Sequence, residues 1–334
     1  MNINSLKHLI NDFSPNVQAP SVIKIEREEQ LPMWSVMIPT FNCARFLRQA
    51  LQSVLIQDPG PELMQIEVID DCSTSDDPES IVREIGGGRV IFYRNEQNLG
   101  ATANFNKCIE RSRGKLVHIL HGDDWVLPGF YHHVKEMAVK YPDASLFSTR
   151  SFFVDEESII TAVSSRIKVL ENGGDSYEDF VTSTPLQFAG IVIRRKFYEN
   201  NGGFQTFLVH CADWEMWVRA ITKGKGVVSP QVLSCYRVFK DNDTARMVRS
   251  AENVKDRLRL YMILSHQLRG FPINKALNHL IKFATKQAKN LQSLDDTASA
   301  ENSFIIANQL AATLSRKKFS LLNILNSLKN KLWR

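Results

Sequence analysis

The sequence predicts an α/β fold built on a mainly parallel sheet with helices on both faces, and three observations carry that prediction. Short apolar runs alternate with amphipathic stretches from Trp34 to Leu120. Three of the runs end in polar or acidic residues, at Pro39-Thr40, Asp70-Asp71 and His121-Gly122-Asp123-Asp124. The 334 residues, 43% hydrophobic and 23% charged, can also bury a sizeable core.

The elements follow in order. Trp34 to Ile38 is a short apolar run stopped by Pro39, which reads as a buried strand. Phe46, Leu47, Ala50, Leu51, Val54 and Leu55 recur at three and four residues, the spacing of a helix with one apolar face. Gln65 to Ile69 is a second strand. A helix from Pro78 to Ile85 is closed by Gly86-Gly87-Gly88, and Val90 to Tyr93 is a third strand. Thr102 to Arg113 reads as a helix stopped by Gly114, before a fourth strand over Leu116 to Leu120. Strands alternating with helices imply βαβ units, and such sheets bind ligands beyond the carboxyl ends of their strands.

Beyond Pro142 the pattern loosens. Strand-like stretches at 144–148, 190–194 and 232–238 mix with loops, and a helix is expected over 213–222. From about Ala251 onward the chain reads as helices. The expected organisation is an extension over 1–30, with a helix at 3–10, then an α/β domain over 31–250 and a helical region over 251–334.

Composition narrows the function. A net charge of +5 is too mild to argue for nucleic acid, and the basic residues are not interleaved with stacking aromatics. The five cysteines are scattered and odd in number, which fits neither a disulfide framework nor structural zinc. The first thirty residues hold no unbroken apolar stretch, and no run approaches the roughly 20 residues that cross a bilayer. A cytoplasmic protein is expected.

Two adjacent carboxylates at a strand end repel each other, and a hard divalent cation such as Mg²⁺ or Mn²⁺ offsets that repulsion through oxygen ligands. Asp123 and Asp124 are therefore the candidate metal ligands, with Asp70-Asp71 contributed by a second strand end. A solvated, helix-capping turn is the plainer alternative for such a pair.

The segment Ser35-Val36-Met37-Ile38-Pro39-Thr40-Phe41-Asn42 resembles the opening strand of the family 2 glycosyltransferases, inverting enzymes with the GT-A fold. The resemblance continues through Leu51-x-Ser53-Val54-Leu55-x-Gln57, Val68 to Asp76, Asn98-Leu99-Gly100, Ser112 to Lys115, and His121-Gly122-Asp123-Asp124-Trp125-x-Leu127-Pro128. It implies a nucleotide-sugar donor, UDP-linked, with Pro39 and Thr40 lining the base and Asp71 or Asp70 bonding its imide edge. Asp123 and Asp124 would share ribose, diphosphate and metal contacts. The chain departs from the family's pattern at His121, where an acid is usual, and at Phe105, where an Arg is frequent. Lys107 is a loose substitute for that Arg.

A second constellation follows. Gly202-Gly203-Phe204 and Ala212-Asp213-Trp214-Glu215 resemble the family's G-G-F and E-D-W segments, which implies Asp213 as general base for an acceptor hydroxyl. A helix-capping role for Asp213 is compatible with that chemistry. Trp214 is a weak candidate for stacking on the acceptor sugar. Tyr236-Arg237-Val238-Phe239 resembles Y-R-x-H with the histidine replaced, and Arg246 beyond it is a candidate phosphate contact.

Residues 316–334 carry six basic residues and no acid, with Phe319, Leu322, Leu325, Leu328 and Leu332 at helical spacing. Such a helix suits either an anionic membrane surface or a protein face. The expected activity is that of a hexosyltransferase acting on a glycan or lipid-linked acceptor, in polysaccharide biosynthesis. The alternative is a catalytically inactive relative that binds a nucleotide sugar or glycan, since four motif positions are altered.

Overall fold

The structure is a computed structural model. The structure describes all residues except 1–5, 7–8, 11–12, 15–17, 27–30, 240–242 and 333–334, and except the side chains of 243–245 and 315–332. Two units emerge, one of residues 18–240 and one joining 1–17 to 241–334. The division therefore falls ten residues earlier than the expected 250. The expected extension is also split, because Leu6 and Ile10 are buried in the helical unit while 18–26 belong with the sheet. Of the helix expected at 3–10, only Leu6, Leu9 and Ile10 lie among the described residues.

The sheet unit begins with β1 (Trp34–Thr40), α1 (Ala44–Leu55), β2 (Met64–Asp70), α2 (Pro78–Gly86), β3 (Ile91–Arg94), α3 (Ala101–Arg111) and β4 (Leu116–Ile119). All residues of β1 and β2 are buried, which explains their unbroken apolar character. The stripe read on α1 is the buried one: Phe46, Leu47, Ala50, Leu51 and Val54. Burying Phe46, Leu47, Leu51 and Val54 contributes roughly 1.5–3 kcal/mol each relative to exposure, and the Ala50 methyl less. α2 starts on Pro78, with the Asp77 carboxylate accepting from Ser80 N at 3.1 Å, and ends at Gly87 in the left-handed region (φ 51°).

After β4 come β5 (Trp125–Val126), α4 (Phe130–Lys140), β6 (Leu146–Val154), β7 (Ile160–Val163), β8 (Ile191–Arg194), α5 (Arg195–Asn201), α6 (Ala212–Gly224) and β9 (Gly226–Arg237). The nine strands form one sheet in the order β3-β2-β1-β4-β8-β6-β9-β5, with β7 on β6. Four strand pairings are parallel and four antiparallel, so the expectation of a mainly parallel sheet holds for β1 to β4 and not beyond. β8 enters antiparallel between β4 and β6, which a chain lacking a helical crossover at that point permits.

Register rests on close contacts. Arg113 and Gly114 both donate backbone N–H groups to Ser35 Oγ, at 2.9 and 2.7 Å. A Cβ at Gly114 would overlap the backbone of Trp34 and Ser35. The α3–β4 turn thus lies flat against β1 and sets where β4 starts, and so where it ends.

The helical unit contains α7 (Asp243–Arg249), α8 (Glu252–Gln267), α9 (Ile273–Ser293) and α10 (Thr297–Leu332). Leu258, Tyr261, Leu277, Leu280, Ala284 and Leu310 form its buried face. Asn253 and Gln287 exchange side-chain hydrogen bonds inside it, and Gln287 also donates to Ser303 Oγ at 3.0 Å. α10 runs through most of the basic stretch at 316–334, whose side chains lie outside the described residues. Among the described residues no helix is long and apolar enough to cross a membrane.

Candidate active site

Parallel pairing delivers the sequence-predicted residues to one edge. Thr40 lies opposite Asp70 in the β1–β2 register, and Asp71 N donates to Thr40 O at 2.8 Å. Beyond β4 the chain keeps running beside β1, with Leu120 N on Met37 O at 3.0 Å and Gly122 N on Pro39 O at 3.1 Å. Gly122 is packed tightly there: a Cβ would meet Cys43 Sγ at 2.9 Å and Thr40 Oγ1 at 3.2 Å. The next turn, closed by Asp124 N on His121 O at 3.0 Å, places Asp123 and Asp124 beside Pro39 and Thr40.

The β2 acids are tied into the scaffold. Asp70 accepts from Ser73 N and Oγ and pairs with Arg94 at 3.2 Å. Asp71 accepts from Leu99 N and Gly100 N, both at 2.9 Å, and from Asn95 Nδ2 at 2.8 Å. Asp71 therefore orders the Asn98-Leu99-Gly100 loop at the rim of the site. Asp76, in the loop between β2 and α2, accepts from Ala44 N at 2.7 Å and so caps α1 from across the edge.

Asp124 is 1% exposed. Its Oδ1 accepts from Arg237 N at 2.8 Å, and its Oδ2 is buried with no hydrogen-bond partner. Burial first, and the neighbouring Asp123 second, push its carboxyl well above the usual carboxylate range, against the pull of Arg237. One ligand atom each from His121, Asp123 and Asp124 lies within 4.8 Å of the other two. An orphaned buried carboxylate oxygen in such a donor set fits a divalent cation.

Arg237, 2% exposed, holds this turn to the rest of the sheet unit. Its guanidinium donates to Asp123 O at 3.0 Å, to Asp155 O and Glu156 O at 2.8 Å each, and to Gln49 Oε1 at 2.7 Å. Phe46 and Trp125 lie against it, with centroids 4.2 and 4.9 Å away. Sequence reading singled out Tyr236-Arg237 as a motif without assigning Arg237 this role. A lone Arg ending a buried strand was the available signal.

The second constellation is held by α3. Asn106 donates to Phe204 O at 2.9 Å and accepts from Phe204 N at 2.7 Å, and Thr102 donates to Leu208 O at 3.0 Å. Those bonds anchor the loop that leads into α6, where Asp213 lies in the first turn, half-buried, its Oδ1 accepting from Trp214 N at 2.6 Å. Burial first, then the charges of Asp124, Asp123 and Asp213, push the Tyr236 phenol above its usual range, so that hydroxyl stays protonated.

Trp214 corrects an expectation. It is 1% exposed and donates its indole N–H to Phe180 O at 2.9 Å, so its ring is core and has no open face for a sugar. Glu215 points away from the site into a buried pair with Arg219, whose fork also binds the carbonyls of Asn201, Gly202 and Gly203. Lys107 pairs with Glu110 on its own helix at 2.7 Å. Arg246 is exposed on α7 of the helical unit. Phe105, in place of a motif Arg, stacks on His121, in place of a motif acid, at 5.0 Å and 14°.

The mixed sheet with its flanking helices, and the acidic turn beyond β4, have the architecture of the GT-A fold. Residues 35–201 match the model of the family described as Glycosyl transferase family 2, and the chain belongs to that family. It is 31% identical to an uncharacterised protein of Mycobacterium tuberculosis, over 72% of this chain and 78% of that one. It is 23% identical to the Escherichia coli UDP-Glc:α-D-GlcNAc-diphosphoundecaprenol β-1,3-glucosyltransferase WfaP, over 76% of this chain and 98% of that one. Among solved structures it resembles residues 1–349 of Staphylococcus aureus TarS in complex with UDP-GlcNAc. The TM-score is 0.59 at 16% identity, covering 82% of this chain and 79% of that one.

Proposed function

We propose that this protein transfers a sugar from a UDP-linked donor to a hydroxyl of a lipid-linked saccharide, with inversion at the anomeric carbon. The observation that carries the proposal is the Asp123–Asp124 turn, with its buried carboxylate oxygen that has no hydrogen-bond partner, set where the chain beyond β4 runs beside Pro39. The Escherichia coli relative, named for a UDP-glucose donor and a diphosphoundecaprenol-linked acceptor, supports the choice of both substrates.

Pro39 and Thr40 line the base, Asp70 and Asp71 order the loops around it, and Asp123 and Asp124 face the ribose and diphosphate. A divalent cation, Mg²⁺ or Mn²⁺, held by Asp123 and Asp124 supplies positive charge against the leaving diphosphate. Asp213 takes the proton of the acceptor hydroxyl as its oxygen attacks the anomeric carbon. The bond to the diphosphate breaks with its electron pair leaving on the nucleotide. The basic segment 316–334 suits the anionic surface in which such an acceptor resides.

The test is turnover of UDP-, GDP- and dTDP-sugars across a Mn²⁺ titration, for wild type and Asp213→Asn. Wild type turns over a UDP-sugar, and the variant loses about 10²–10⁴-fold in rate while still binding donor, the range typical of a general base. No turnover by wild type across the panel would sink the reading.

A further inference from the structure

The cation site described above has one member that a plain acidic turn lacks. His121 opens the turn, and one of its ring nitrogens lies within 4.8 Å of oxygens of both Asp123 and Asp124. The ring is held by its neighbours. Phe105 stacks on it at 5.0 Å and 14°, and Phe188 lies at 4.4 Å with a 41° tilt. Phe105 and Phe188 themselves pack on Phe204, at 5.6 and 5.8 Å. This apolar wall packs against the faces of the imidazole, while its nitrogens lie in the ring plane. Asp124 adds an independent sign of a cation: its Oδ1 is taken by Arg237 N, and its buried Oδ2 has no hydrogen-bond partner.

We propose that His121 is a third ligand, so that His121, Asp123 and Asp124 form a mixed nitrogen–oxygen site that selects Mn²⁺ over Mg²⁺. The inference rests on the cation-assisted donor reading above and goes further, because it assigns the donor atom that decides which ion binds. Magnesium favours oxygen ligands and retains several waters, whereas imidazole suits first-row transition metals. A neutral imidazole also limits the protein charge at the site to that of two carboxylates, which a single divalent ion balances. An aromatic wall would hold that nitrogen at a set distance and so raise the discrimination further.

The experiment uses the full chain with UDP and Mn²⁺. Pulsed electron paramagnetic resonance on bound Mn²⁺ is compared between protein labelled with ¹⁵N-histidine and unlabelled protein, and calorimetry gives the Mn²⁺ and Mg²⁺ affinities. The expected result is a directly coordinated histidine nitrogen that changes isotope with the label. His121→Asn loses that coupling and at least about tenfold in Mn²⁺ affinity, the lower end of what disturbing a metal-orienting group costs. His121→Asp narrows the preference for Mn²⁺ over Mg²⁺. Saturable Mn²⁺ binding with no histidine nitrogen coupling overturns the ligand assignment and leaves the cation-assisted reading standing. Absence of saturable Mn²⁺ binding by wild type in the presence of UDP overturns both. The labelled wild type decides the matter even if a variant fails to fold.

Discussion

At the scale of single residues, burial assigns roles that residue type alone leaves open. His118 on β4 is fully buried, with Nε2 against Ala189 O and Nδ1 against Tyr131 Oη, each at 3.1 Å. The carbonyl can only accept, so Nε2 carries the proton and Nδ1 accepts from the tyrosine hydroxyl. Burial pushes this histidine down to about 3. The unfolded chain therefore binds a proton that the folded one refuses. The stability from the neutral ring is complete above pH 6.5 and is lost as pH falls toward 3, by up to about 5 kcal/mol. His118→Gln is expected to lose less stability than wild type over that window, measured as the urea midpoint against pH. Equal slopes would show that carboxylates alone govern the acid limb.

At the scale of elements, the site depends on three segments meeting at the end of β9. Arg237 joins that end to the Asp123–Asp124 turn, to the loop between β6 and β7, and to α1. Arg237→Met takes the shared donor from those part-buried acceptors and removes the buried cation beside two acids. A loss of about 3–5 kcal/mol is expected in chemical denaturation, the usual cost of breaking a buried charged cluster. A second prediction concerns the α3–β4 turn. Gly114→Ala would force a Cβ into the backbone of Trp34 and Ser35. It is expected to cost about 1–3 kcal/mol, as overpacking does, and to weaken UDP binding by shifting the turn that β4 carries. A variant as stable as wild type, with unchanged UDP affinity, would remove this account of register.

At the scale of the whole molecule, the site belongs to the sheet unit of residues 18–240, so ligands there report on that unit's folding. UDP with Mn²⁺ is expected to raise its thermal midpoint, by about 2.7 kcal/mol of stabilisation at one hundred times the dissociation constant, and chelation of the metal reverses the gain. Each ligand alone should stabilise less than the two together, since each completes the other's site. A midpoint indifferent to both would contradict the placement of the donor on this edge.

What the sequence determined by itself was local. Apolar runs marked β1, β2 and β4, the stripe of α1 was read but for Ala44, which is buried, and Leu55, which is only half-buried, and the acids at the strand ends followed from where those runs stop. Periodicity carries this information because it depends on neighbours within a few positions. The tertiary structure decided the rest. Which strand pairs with β4 depends on chain closure over long separations, so the antiparallel entry of β8 was not legible. α4 and β7, the latter exposed along its length, gave weaker local patterns still. Trp214 and Asp213 are adjacent and share one motif, yet Trp214 is core and Asp213 only half-buried, because α6 turns the indole inward to Phe180 O. Arg237 shows the same limit from the other side. Its partners at 49, 123, 155 and 156 are scattered through the chain, and only folding brings their oxygens to one guanidinium.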